Sequence, residues 1–143
     1  MDDPPRLRNV VVDTTDARRL AEFYRQLLGY EYRPGDEPPA RGRPDPAGQD
    51  WLTLRPADGH GPGIAFQQVP ELPRSTWPGT EVPQQLHLDL QVRTVEGLQE
   101  AYERARSLGA ELLRDGSDDE AEPIYVLADP DGHPFCIFVV AED

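Results

Sequence analysis

The chain contains no lysine; all 14 of its basic residues are arginine. That excludes Schiff-base chemistry, which needs an amine nucleophile. It also excludes the lysine of a phosphate-binding Gly-x-x-x-x-Gly-Lys loop. A single cysteine, Cys136, rules out an internal disulfide and fits a reducing cytoplasm, the location expected here. No apolar run reaches the roughly 18 residues that a membrane span requires. The acidic start, Met1-Asp2-Asp3, precedes no apolar signal core. A formal charge of −13 over 143 residues disfavours nucleic acid and anionic membranes as partners. A neutral or cationic small molecule is the partner this balance favours, although its simplest effect is solubility. Gly-x-Gly-x-x-Gly, Gly-x-Ser-x-Gly and His-x-x-x-His are all missing, which disfavours dinucleotide binding and serine hydrolysis.

What is present is a repeat. Asn9-Val-Val-Val-Asp13 is answered 78 residues later by His87-Leu88-Asp89-Leu90-Gln91, and Leu20 and Tyr24 by Leu98 and Tyr102 at the same offset. Leu28-Gly29 is answered by Leu108-Gly109 at 80. A fixed-period self-match predicts two similar modules, about 7–69 and 86–140, within one domain spanning 1–143. Residues at matched positions are therefore the first candidates for function.

The local signals agree. Leu7–Asp13 reads as a strand, with Thr14-Thr15-Asp16 able to cap a helix. Leu20, Phe23, Tyr24, Leu27 and Leu28 recur on one helical face, and Gly29 is the stop. Tyr30–Arg33 is a short strand. Five prolines and three glycines between Pro34 and Gln49 predict an irregular surface loop. Trp51–Arg55 and Ile64–Val69 read as strands, and Pro70–Gln85 as a bridge between modules. Leu86–Arg93, a helix with Val95, Leu98, Tyr102, Ala105 and Leu108 on one face, then Ala110–Arg114, Ile124–Ala128 and Phe135–Val140 repeat the order. The pattern is βαβββ twice, an α+β class.

These paired halves, the Leu27-Leu28-Gly29-Tyr30 helix end, His87-Leu88-Asp89-Leu90 and Asp129-Pro130-Asp131-Gly132 resemble the vicinal oxygen chelate superfamily. That group includes glyoxalase I, extradiol dioxygenases, and fosfomycin and bleomycin resistance proteins; the nearest likeness is to glyoxalase-like domain proteins. The resemblance runs from Leu7 to Val140. It implies two modules whose curved mixed sheet surrounds a central cleft, with the helices outside, and a homodimer as one arrangement. In metal-dependent relatives, the first and last strands of each module hold a divalent ion.

Carried over residue by residue, those places fall at Asn9, Ala65 (or Gln67, two residues along the same face), His87 and Cys136. They lack the chelating set, so no resident cofactor is expected. A divalent metal anchored on His87 and Cys136 is the alternative. The expected ligand-binding residues are Asn9, Gln67, His87, Asp89, Cys136 and Phe138.

His87 has two readings: a base or hydrogen-bonding group for a ligand, or a buried imidazole satisfied by backbone. His60 and His133 lie in turns and are expected to face solvent. Asp89 shares the His87 face and would orient or charge-pair the imidazole, or bond an arginine. Cys136 could be a nucleophile if its thiolate were stabilised, but packing is the reading favoured. Phe66 is expected beneath the helices, Phe138 on the Cys136 face, and Tyr24 and Tyr102 in the core. Asp118-Asp119-Glu120 reads as a solvated loop. Three functions follow as expectations. The first is a metal-free protein that encloses a small organic molecule between the modules. The second is a lyase, isomerase or dioxygenase-like enzyme using His87 and a divalent metal. A non-catalytic interaction module is the third, favoured only if side chains fill the cleft.

Overall fold

The computed structural model describes residues 3–141. The chain divides into two compact units, Met1–Leu72 and Pro73–Asp143, with the boundary inside the predicted bridge. The expected α+β class with two similar modules is the one observed.

In the first unit, β1 (Asn9–Thr14), α1 (Ala17–Leu28), β2 (Glu31–Tyr32), β3 (Trp51–Arg55) and β4 (Gly63–Gln68) form a four-stranded sheet of order β1-β4-β3-β2. β1 runs parallel to β4, and the other neighbours are antiparallel. Asp16 caps α1 by accepting the Arg19 amide at 3.1 Å, and Gly29 ends it at φ +69°. Alternation along the strands puts Val12, Thr14, Leu52, Leu54, Ile64 and Phe66 on the face that α1 covers. Tyr24 and Phe66 stack there, centroids 5.9 Å apart, as predicted for both. Gln68 ties the helix start to β4: its Oε1 accepts the Ala17 amide and its Nε2 donates to the Thr15 carbonyl.

The long proline-rich loop is more ordered than its composition suggests. It contains a 3-10 turn at Ala47–Gln49 that the sequence reading missed. Arg18 holds it from the helix, with Nε and Nη2 each 2.8 Å from Asp45 and Nη1 2.6 Å from the Asp36 carbonyl. Buried Asp36 in turn accepts the Thr53 amide at 2.9 Å.

In the second unit, β5 (Leu88–Val92), α2 (Val95–Ser107), β6 (Glu111–Gly116), β7 (Ile124–Ala128) and β8 (Pro134–Val139) repeat the arrangement, in the order β5-β8-β7-β6. Thr94 caps α2 through the Gly97 amide at 2.9 Å. Tyr102 is half-buried rather than core, stacked at 4.0 Å on buried Tyr125. In the Asp129-Pro130-Asp131-Gly132 turn all but Pro130 are buried, and Asp129 Oδ1 accepts the amides of Asp131 and His133. His133 is half-buried rather than solvent-facing, whereas His60 and Asp118-Asp119-Glu120 are exposed as expected.

Two strand boundaries change the reading of candidate residues. β1 starts at Asn9 rather than Leu7, and β5 starts at Leu88, so His87 immediately precedes its strand. β6 carries a bulge between Leu112 and Arg114, which sets Arg114 opposite Val126 instead of Tyr125.

Candidate functional site

Each sheet has one face bearing a helix and one face without. On the helix-free face of the first sheet lie Asn9, Val11 and Asp13 of β1, Gly63, Ala65 and Gln67 of β4, and Trp51, Thr53 and Arg55 of β3. The register pairs Asn9 with Gly63 and Val11 with Ala65. In the second sheet it pairs Leu88 with Phe135 and Asp89 with Cys136. Ala65 is thus the internal equivalent of Cys136, and Gln67 lies one pleat further on. Ala65 is fully buried and offers no donor; Gln67 is exposed opposite Asp13 and Trp51. Asn9, half-buried, borders a cavity within the same unit.

The second sheet brings the remaining candidates together. Asp89 and Cys136 are direct neighbours on parallel strands, and His87 projects from just before β5. One donor atom from each of His87, Asp89 and Cys136 lies within 4.8 Å of the other two. His87 Nε2 sits 3.3 Å from Asp89 Oδ1, with those side chains 44% and 56% exposed. His87 is exposed, so of its two readings the buried imidazole does not hold, and Cys136 is a partly buried thiol beside the Asp89 carboxylate. The matched positions lack an acid, yet the register restores one, because Asp89 stands where its side chain reaches Cys136. Phe138 and Ile124 extend the same face as an apolar strip, opposite one another on β8 and β7. The β6 bulge adds Arg114, which the sequence reading missed because unbroken alternation would turn it toward α2.

The electrostatics decide what Cys136 can do. Burial pushes its thiol up, and the Asp89 carboxylate pushes it further, by charge and by accepting a hydrogen bond; Glu122 adds a smaller effect. All of these disfavour the thiolate, so at neutral pH the sulfur is an S–H donor and a poor nucleophile. Covalent catalysis through Cys136 has no support in this arrangement.

A divalent ion is a different matter. Imidazole nitrogen, carboxylate oxygen and thiolate sulfur are the donor types zinc takes, and three protein ligands with an open fourth position suit a reactive site. Donors on one tetrahedral ion lie roughly 3.3–3.8 Å apart, and here the three lie within 4.8 Å of one another. The residues fit such an ion, and His87, Asp89 and Cys136 would hold it, with Cys136 losing its proton. No helix among the described residues is long and apolar enough to cross a membrane.

Two βαβββ modules in tandem, each a four-stranded mixed sheet with one helix, define the class of protein as a vicinal oxygen chelate fold. The glyoxalase-like domain model matches residues 9–138, and the chain belongs to that family. No curated protein sequence matches it significantly. Among solved structures it resembles a glyoxalase/bleomycin resistance protein/dioxygenase family enzyme from Burkholderia phytofirmans PsJN, at 18% identity and TM-score 0.67, covering 92% of this chain and 96% of that one. A glyoxalase/dioxygenase from Nostoc punctiforme is similar at 19% identity and TM-score 0.67, covering 96% and 92%. A glyoxalase-related enzyme from Fulvimarina pelagi matches at 19% identity and TM-score 0.63, covering 94% and 88%. At these identities the likeness is one of fold, and a fold hosts many chemistries.

Proposed function

We propose that the chain binds a small organic molecule on the helix-free face of β5, β8 and β7. In this reading His87, Asp89 and Cys136 are the polar anchors, and Phe138 and Ile124 are the apolar wall. The observation that carries it is the convergence of three chemically different donors within 4.8 Å, His87 and Asp89 exposed and Cys136 partly buried, beside that strip. Small-molecule sites have this composition: apolar walls with a few converging polar groups. The exposed carboxylate and the net charge of −13 favour a cationic or neutral ligand. Calorimetric titration with planar aromatic cations and their uncharged counterparts tests the proposal. At least one should bind saturably at 1:1, and Asp89→Asn should weaken the cation tenfold or more, about 1.4 kcal/mol. A panel without a binder, or a binder indifferent to both Asp89→Asn and His87→Ala, would overturn it.

The same cluster favours a second reading, a metal-supported lyase, isomerase or dioxygenase-like enzyme. Bound there, a divalent ion would act as a Lewis acid toward a substrate oxygen. His87, Asp89 and Cys136 contribute the ligands, and the raised thiol predicts that metal uptake releases a proton. Native mass spectrometry of chelator-treated protein after zinc addition, with an indicator dye following the proton, checks this. Stoichiometric zinc that is lost in His87→Ala and Cys136→Ala supports the enzyme reading; no stoichiometric uptake removes it.

A further inference from the structure

Arginines gather around one cavity of the first unit. It has a volume of about 430 Å³, and its lining includes Arg6, Arg8, Asn9, Arg55 and Gly63. Its origin is legible in the register. Leu54 pairs with Ile64, so the next step of that antiparallel ladder sets Arg55 beside Gly63, and Gly63 pairs with Asn9 on the other side. Arg55 and Asn9 therefore flank a residue with no side chain. A Cβ at Gly63 would lie 2.4 Å from the Leu54 carbonyl oxygen and 2.8 Å from Asn9 Oδ1, so only glycine keeps this floor open. Across the mouth, Gly59 and Gly61 sit at φ +76° and +90°, conformations that favour glycine and leave bare backbone in the wall. The lead-in segment closes the remaining side, its Arg8 carbonyl accepting the Gly63 amide at 2.8 Å.

The charge is the informative part. In a chain with 27 acids and 14 arginines, this wall holds three arginines and no acid. None of the Arg6, Arg8 and Arg55 guanidinium groups makes a hydrogen bond or ion pair among the described residues. Two acids flank the site without pairing to them: Glu31, opposite Arg55 on β2, and Asp58, whose Oδ1 accepts the His60 amide. Arg6 and Arg8 are exposed and Arg55 is half-buried, so all three cations are open to an incoming anion. Guanidinium forks match the planar oxygens of carboxylates and the tetrahedral oxygens of phosphates. Asn9 adds a neutral amide donor at the rim.

We infer that this cavity binds an oxyanion, a carboxylate or phosphate group of a small molecule, through Arg55, Arg8 and Arg6, with Asn9 completing the hydrogen bonding. The inference stands apart from the His87 cluster, and each can fail without the other.

The experiment uses the full chain labelled with ¹⁵N, titrated separately with inorganic phosphate and with malonate, against sodium chloride at matched ionic strength. Saturable shifts are expected for the amides of Asn9, Gly59, Gly61 and Gly63 and for the arginine Nε–H groups, with His87 and Asp89 unmoved. The tighter of the two anions names the source, phosphate or carboxylate. Arg55→Gln and Arg8→Gln, at surface positions, should each weaken binding about tenfold, the scale of one charge-assisted hydrogen bond. Shifts that fail to saturate, that chloride reproduces, or that persist at wild-type affinity in the Arg8→Gln/Arg55→Gln double variant would each overturn the inference.

Discussion

Gly63→Ala sets two effects of known size against each other. An alanine has fewer unfolded conformations to lose, which alone would stabilise the chain by about 0.4–1 kcal/mol. No positive φ holds Gly63, so backbone strain does not enter. Against that gain stands contact: the new methyl group would sit 2.4 Å from the Leu54 carbonyl oxygen, well inside any real carbon–oxygen contact. That oxygen belongs to the β3–β4 ladder and cannot swing away as a side chain would. Asn9 Oδ1, at 2.8 Å, can rotate and costs little. Overpacking in a well-packed site costs about 1–3 kcal/mol. The clash should therefore win, with a net destabilisation of about 1–2 kcal/mol. The assay is urea unfolding followed by tryptophan fluorescence in a Trp77→Phe background, which leaves Trp51 on β3 as the only indole. With a slope of about 1–3 kcal/mol per molar urea, the midpoint should fall by about 0.3–2 M. A variant as stable as its parent, or more stable, would show that β3 and β4 yield freely at this point. The account of a rigid, glycine-floored cavity would then be wrong.

Other outcomes follow from the same structure. Phe66→Ala empties a fully buried position stacked on Tyr24 and should cost about 3–5 kcal/mol by urea unfolding; a loss below 1 kcal/mol would contradict its place in the core. Arg18 holds the Asp45 carboxyl below its ordinary value, and Arg25 does the same for Glu22, burial opposing both. A depressed carboxylate stabilises the fold above its unfolded value, and that stability is lost as pH falls through the folded one. Asp45→Asn should thus destabilise the chain at pH 7 and flatten the acid limb of its stability profile; an unchanged limb refutes the pairing. The Cys136 thiol, pushed up by burial and then by Asp89, should react with iodoacetamide more slowly at pH 7.5 than an unperturbed thiol. Asp89→Asn should accelerate that reaction, and a variant reacting no faster would separate Asp89 from the thiol.

Much of the architecture was legible beforehand, for reasons that are local. The apolar period of α1 and α2, the Asp16 and Thr94 caps, the Gly29 stop and strand alternation all act within a few residues, and the 78-residue repeat announces the second module. The same alternation correctly sets Phe66 opposite to the Ala65 face and Phe138 on the Cys136 face. What escaped was set by register between distant strands. The pairing of Asp89 with Cys136 depends on how β5 and β8 align across 47 positions, and one slip would move every side chain to the other face. A one-residue bulge turned Arg114 over, and a glycine between Arg55 and Asn9 opened a cavity that no motif announces.

Composition and periodicity by themselves determined that the chain would build two βαβββ modules, and that Phe66 would lie under a helix while Phe138 shares the Cys136 face. Only tertiary pairing decided which polar groups meet on the opposite faces, because hydrogen-bonded ladders join residues that chain order keeps far apart.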